Sequence, residues 1–273
     1  MAEPIMTEPE QAWRVYGIVP ADAELADLGA PIDSHESAEV DQADQELVEL
    51  RERDLELLRH GSIAAVVEAI DPTRPARRRD LMAHSSVVNA LAARGPVIPI
   101  AFGSAFIERE QVVDELLAVP GTAEALALRL EELRGRAQFQ IRVRYLMDEL
   151  LARIVATDSE ISQLRDRTRN LSEVESYDAR VRLGELVSHA VDRRLSDDSE
   201  SLLNALGSKA EDAVLSTRSD ARPSLGLAFL VADHDRADFE AIAEKIAEEL
   251  QDVAVVELLG PLAPFDFVAD LTR

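Results

Sequence analysis

The sequence predicts an α+β fold built as two tandem domains, and three observations carry that prediction. Short β-branched or aromatic runs alternate with longer stretches of helical periodicity along the chain. At 273 residues there is material for two cores. Residues 137–145 set Phe139, Ile141, Val143 and Tyr145 against Gln138, Gln140, Arg142 and Arg144, the period-two alternation of a strand with one apolar and one polar face. From that strand onward the order is β, helical hairpin, β, β, α, β, the ferredoxin-like βαββαβ order with an enlarged first crossover. The boundary is placed just before this strand. It gives an N-terminal α+β domain over residues 1–135 and a C-terminal ferredoxin-like domain with an αα-hairpin insertion over 136–273.

Taken in order, residues 1–12 are polar, with two prolines, and read as a flexible start. Residues 13–19, Trp-Arg-Val-Tyr-Gly-Ile-Val, form a first strand closed by Pro20. The stretch 21–45 is acidic and loop-like. Residues 46–59 read as a helix, with Leu47, Leu50, Leu57 and Leu58 on one face and Glu49, Arg51, Glu52 and Arg53 on the solvated one. A second strand, 63–70, is stopped by Asp71-Pro72, and Arg74, Arg77, Arg78 and Arg79 follow. That basic cluster reads either as a helix entry balancing nearby acids or as an anion-contact patch. A helix over 80–94 carries Leu81, Val88 and Leu91 and ends at Gly95-Pro96.

Residues 95–106, Gly-Pro-Val-Ile-Pro-Ile-Ala-Phe-Gly-Ser-Ala-Phe, are the most apolar run of the first half. Proline has no N–H for a ladder, so Pro99 predicts an edge strand or a bulge rather than a fully paired central strand. Helices follow over 108–119 and 122–134, stopped by Pro120-Gly121 and Gly135. Beyond the strand at 137–145, helices over 148–170 and 177–206 form the hairpin. Strands at 213–217, 225–232 and 253–259 and a helix over 236–250 complete the order, and a Gly-Pro-rich tail runs from 260 to 268.

The composition narrows the function. The formal net charge of -24 repels nucleic acid and anionic lipid, so neither is an expected partner. Only Lys209 and Lys245 are lysines; an arginine-rich, lysine-poor chain fits a GC-rich coding genome or a salt-adapted surface, and composition leaves both open. There is no cysteine, which removes disulfides, thiolate metal sites and cysteine catalysis. No charged head with an apolar signal core and no apolar run of about 20 residues is present, so a soluble cytoplasmic protein is expected.

No catalytic motif stands out. His35, His60, His84, His189 and His234 are not paired at metal-binding spacing, and no H-E-x-x-H occurs. His84-Ser85-Ser86 lacks a G-x-S-x-G setting. Neither a P-loop nor a G-x-G-x-x-G is present. Acidic pairs at helical spacing are what this composition produces by chance. Asn170-Leu171-Ser172 matches a glycosylation sequon without a secretory context. Residues alone therefore describe an acidic α+β protein with no expected catalytic residue, cofactor or metal.

Six segments follow in order: Tyr16-Gly-Ile-Val19; His60-Gly-Ser-Ile-Ala-Ala-Val-Val67; Pro96-Val-Ile-Pro-Ile-Ala-Phe-Gly-Ser-Ala-Phe106; Gly135 to Tyr145; Arg182-Leu-Gly-Glu-Leu-Val187; and Leu259 to Val268. Together they resemble the gas vesicle accessory proteins of the F/L family, the third against the family pattern P-V-L-P-x-x-F-G-T-x-F and the last against G-P-x-x-P-[YF]-x-F-[VA]. Departures are Ala101, where many members carry a larger or basic residue, Leu262 and Ala263, where others have Trp and Pro, and the acidic stretch at 21–45.

The resemblance implies a non-enzymatic role in building gas vesicles: binding the small, very hydrophobic main shell subunit, preventing its aggregation, assisting nucleation or growth, associating with other accessory proteins and persisting as a minor vesicle component. A shell subunit with an apolar face and pairing strands aggregates through both. Its holder needs an apolar or strand-edge dock and a charged exterior. Phe102, Phe106, Phe265 and Phe267 are the expected partner-binding residues, against the alternative that all four are core. The rival reading is a ligand-binding or enzymatic module on the ferredoxin-like frame; a third is a structural subunit of the vesicle wall.

Overall fold

The computed structural model describes residues 11–25, 53–169, 172–216 and 224–268. Most of the acidic stretch at 21–45, and the first part of the helix expected over 46–59, lie outside them. The chain divides into two compact units, Met1–Gln138 together with Pro261–Arg273, and Phe139–Gly260.

The first unit contains β1 (Ala12–Pro20), β2 (Leu55–His60), β3 (Ile63–Ile70), α1 (Arg78–Ala92), β4 (Ile98–Pro99), β5 (Ala105–Phe106), α2 (Arg109–Gln111, continued by a π-helical turn at Val112–Leu117) and α3 (Thr122–Leu133). Its sheet runs β2-β3-β1-β4, with β5 also on β1. β1 and β3 are antiparallel from Ala12↔Ile70 to Pro20↔Ile63, with a register shift between Val15 and Gly17. As Pro99 requires, β4 is a two-residue strand at the end of the sheet, paired to Gly17 and Ile18.

Residues 55–59 are strand, not helix. β2 and β3 form a hairpin with His60 opposite Ile63, and Gly61 takes the left-handed φ of 59° that the two-residue turn requires. The leucine spacing suited either period. Leu55 and Leu57, two apart, both pack on the core, and the turn at Gly61-Ser62 is the signal that decides for a strand.

The core of this unit gathers Tyr16, Val19, Ala64, Val66, Val87, Val88, Leu91 and Val97, and Ala263 from the tail. The tail thus joins the first unit, although the sequence order placed it in the second domain. Asn89 Oδ1 accepts from the Ala263 N–H at 2.9 Å, Arg129 Nη2 donates to the Phe267 carbonyl at 2.8 Å, and Gln138 exchanges two hydrogen bonds with Asp266. Contacts across more than a hundred residues leave no local trace in sequence.

The second unit is built on β6 (Arg136–Tyr145), α4 (Met147–Thr157), α5 (Ser159–Arg169), α6 (Glu173–Gly207), β7 (Asp212–Leu215), β8 (Ser224–Ala232), α7 (Arg236–Leu250) and β9 (Ala254–Leu262). The sheet order β7-β8-β6-β9 puts the first and third strands inside, as the ferredoxin-like arrangement requires. Phe139, Phe229 and Phe239 form its aromatic core, with ring centroids 5.3 and 5.4 Å apart. Among the described residues the helical insertion has three helices rather than two. Asp158 ends α4, and its Oδ1 accepts from the N–H groups of Glu160 and Ile161 to start α5. The polar face of β6 is also less open than its alternation suggested: Gln140 is buried and donates to Ser216 Oγ at 2.7 Å.

Gly17 is fixed by packing. A Cβ there would lie 2.8 Å from Val97 Cγ2 and 3.0 Å from the Ile98 carbonyl oxygen. Gly17→Ala should therefore lower stability by about 1–3 kcal/mol, by forcing β4 off β1. Urea unfolding measures this; an unchanged midpoint would show that β4 is not held this closely.

Candidate functional site

Proline and glycine give residues 96–106 their shape. Pro96 and Pro99 restrict the strand, and Gly103 turns the chain at a φ of 100°, open only to a residue without Cβ at little cost. The chain leaves β1 after Ile100, whose N–H donates to the Tyr16 carbonyl, and returns at Ser104, whose carbonyl accepts from the Val15 N–H, before β5 sets Ala105 opposite Arg14 and Phe106 opposite Trp13. Both short strands lie on the edge of β1 opposite β3, and neither has a further strand partner among the described residues.

The four phenylalanines fall into two environments. Phe267 is buried, and Phe265, itself half-buried, packs against the core beside Ala263. Phe102 and Phe106 are half-buried. Next to Phe106, Ile107 is 58% exposed. The Arg109 guanidinium lies 5.4 Å over the Trp13 ring and pairs with Glu56 at 2.7 Å. An apolar rim of Trp13, Phe106 and Ile107, bordered by charge, thus sits at the short-strand edge. Trp13 and Ile107 carry no motif as a single strand aromatic and an isolated isoleucine; Trp13 meets Phe106 through the β1–β5 register, and the exposed Ile107 follows Phe106 in the chain.

Phe102 belongs instead to a half-open cleft of 610 Å³. Arg14, Arg53, Arg74, Arg79, Glu68 and Phe102 are among its walls. Tyr16 Oη donates to Glu68 Oε2 at 2.6 Å, Arg53 Nη1 reaches both Glu68 oxygens at 3.0 and 2.9 Å, and the same nitrogen donates to Tyr16 Oη at 3.0 Å. Arg14 Nη1 is 3.9 Å from Glu68 Oε2, and its guanidinium sits 5.5 Å from the Phe102 centroid. Burial, and then the Glu68 carboxylate, push the Tyr16 phenol up to about 12.

Behind Phe102 lies His84, buried, stacked on Tyr16 at 4.9 Å and meeting Phe102 edge-on at 5.5 Å. Its Nε2 lies 2.9 Å from the Ile100 carbonyl oxygen, which can only accept, so Nε2 carries the proton and donates. Nδ1 has no hydrogen-bond partner among the described residues. Burial holds His84 below the ordinary histidine range, outweighing the Ile100 hydrogen bond, with Arg14 and Arg53 adding to the depression. Ser85 and Ser86 donate to the carbonyls of Leu81 and Met82, one turn back on α1. His84 is therefore a core histidine that props Phe102 and the chain at Ile100, not the base of a hydrolytic pair. Among the described residues no group of three or more His, Asp or Glu side chains is placed to hold a metal ion, and no helix is long and apolar enough to cross a membrane.

The family model for the gas vesicle synthesis protein GvpL/GvpF matches residues 12–269. Gas vesicle protein F of Streptomyces sp. (strain CB03234) is 33% identical over 215 residues, covering 78% of this chain and 87% of that protein. Gas vesicle protein F of Haloferax mediterranei is 26% identical over 213 residues, covering 77% and 79%. Among solved structures, the crystal structure of the gas vesicle protein GvpF from Anabaena sp. PCC7120 superposes with a TM-score of 0.73 at 18% identity, over 94% of this chain and 98% of that one. The GvpF structure from Microcystis aeruginosa gives 0.67 at 19% identity with the same coverage. At such identities the structural likeness speaks for the fold.

The depressed basicity of His84 has a sign. Because its folded pKa lies below the unfolded value, its contribution to stability is complete above about pH 6.5 and is lost as pH falls below that. In an NMR titration of the native protein the His84 imidazole should stay neutral as pH drops through about 6.5. A midpoint at or above that value contradicts the burial described.

Proposed function

Since the chain belongs to the gas vesicle synthesis protein GvpL/GvpF family, we propose that it is a cytoplasmic assembly factor that works by contact rather than by bond chemistry. It binds the hydrophobic main shell subunit, keeps it from aggregating, assists vesicle nucleation and growth alongside other accessory proteins, and remains as a minor component of the vesicle. One observation carries the reading: the rim of Trp13, Phe106 and Ile107 at an unextended strand edge. A subunit that pairs through β-strands and presents an apolar face meets both needs there, the edge taking backbone hydrogen bonds and the rim taking side chains.

The charged exterior supports the same role. A net charge of -24 keeps the escort and its cargo dispersed. Phe106 is the sequence-selected ring best placed for docking, Phe102 stands close by in the chain, Phe265 packs against the core of the first unit and Phe267 is buried.

Co-expression with the shell subunit tests this. Wild-type protein should hold the subunit in the soluble fraction. Ile107→Asp and Phe106→Asp should each lower the soluble subunit by about tenfold, the effect of roughly 1.4 kcal/mol lost at a docking centre. Leu128→Asp, at a position 64% exposed on α3, should not. Far-UV circular dichroism must stay native for all three. Full solubility with both rim variants, or none with wild type, contradicts the proposal.

A further inference from the structure

The arginine-lined cleft has no part in the apolar docking just described, and its charge runs against the rest of the molecule. Its walls carry four guanidinium groups, Arg14, Arg53, Arg74 and Arg79, and three carboxylates, Glu68, Asp71 and Asp80. In the chain as a whole 53 acids face 29 bases, so a cationic excess in one concave place is a local reversal.

The three carboxylates are already engaged. Glu68 is held by Arg53 and Tyr16. Asp71 Oδ1 accepts from the Thr73 N–H and hydroxyl, which with Arg74 nearby hold its carboxyl below the usual range. Asp80 accepts from the Arg77 N–H at 2.8 Å and from Arg74 at 3.0 Å. On the cationic side, among the described residues Arg79 has no ion pair and the one ion pair of Arg14 is its 3.9 Å share of Glu68. The cations are also pre-placed: the side chains of Arg14 and Arg53 are only 14% and 20% exposed, so their ordering is largely complete before anything binds. Between the charges the surface is apolar, with Ile70, Pro72, Pro75 and Ala76 lining the cleft beside the Phe102 ring.

We propose that this cleft is a second binding site, which takes an acidic segment of a partner protein, one that alternates carboxylates with aliphatic side chains. The carboxylates meet Arg79 and Arg14, and an aliphatic side chain lies on Phe102 and the proline-lined wall. A peptide fits better than a polyphosphate. The lining offers a single aromatic ring rather than a stacking pair and has no glycine-rich loop of backbone N–H groups. The negative field of the whole chain rejects a densely charged polyanion more strongly than a short acidic segment.

The probe is a fluorescent peptide of about a dozen alternating Glu and Leu residues, read by anisotropy against the full chain at low salt. Saturable binding is expected, weakened at least ~10-fold by Arg79→Glu and by Phe102→Ala, unchanged by Arg182→Glu in the second unit, and lost at about 1 M salt, where screening reaches about 3 Å. A Lys-Leu peptide of the same length should not bind. Circular dichroism confirms that each variant is folded, and retention of the shell subunit by Arg79→Glu keeps this site distinct from the apolar rim. Absence of saturable binding to wild type, equal affinity in the Arg79 and Phe102 variants, or displacement of the peptide by equimolar inorganic phosphate overturns the proposal.

Discussion

β1 is the constraint on which the first unit depends. One edge pairs with β3 from end to end of the strand, broken only by the register shift between Val15 and Gly17. The other is occupied only by two-residue strands, Ile98–Pro99 and Ala105–Phe106. These strands, with the Ile100 N–H donating to the Tyr16 carbonyl and the Val15 N–H to that of Ser104, cover β1 from Trp13 to Ile18, but Pro96, Pro99 and Gly103 keep them from joining into one long outer strand: the prolines cannot donate, and the glycine sends the chain away and back. The same feature that keeps the edge short keeps it accessible, and it brings Phe102 and Phe106 to the surface at two different places.

Each unit also fixes a buried tyrosine through a carboxylate held by arginine. In the first, Tyr16, Glu68 and Arg53 form the clamp at the base of the cleft. In the second, Tyr145 Oη donates to Asp198 Oδ2 at 2.6 Å and Arg194 Nε reaches the same oxygen at 2.7 Å. Burial and then the carboxylate raise both phenols, so neither ionises near neutrality and each remains a donor. The half-buried charges are retained because every oxygen that faces the interior has a partner, without which burying them would be costly. In the first unit this leaves a rigid cationic wall; in the second it ties α6 to β6.

Much of this was legible in the chain. The strict alternation at residues 137–145, the Asp71-Pro72 stop, and the proline-marked run at 95–106 each follow from local chemistry, and the structure places them as strand, loop and sheet edge. The errors arose where two periods fit the same residues or where a cap interrupts a long pattern. Leu55, Leu57 and Leu58 suit a helix until the Gly61 turn is counted, and Asp158 divides a helix whose apolar spacing continues through it. The candidate sites were less legible, because they rest on register and on long loops. Trp13 meets Phe106 across β1 and β5, and Arg14, Arg53, Glu68 and Arg79 reach one cleft from four separate stretches of chain. The basic run at 74–79 was visible as charge, but only the fold shows that Arg77 spends its backbone on a helix start while Arg79 has no ion pair among the described residues.

The central claim is that a shell subunit docks on the free edge of the short strands β4 and β5, which lie along β1. Hydrogen exchange of the protein with and without the shell subunit tests it most directly. The account predicts new protection concentrated at residues 101–107 and around Trp13, with the interior of the second unit unchanged. Protection confined to other elements, with the amides of 101–107 exchanging as in the free protein, would contradict it.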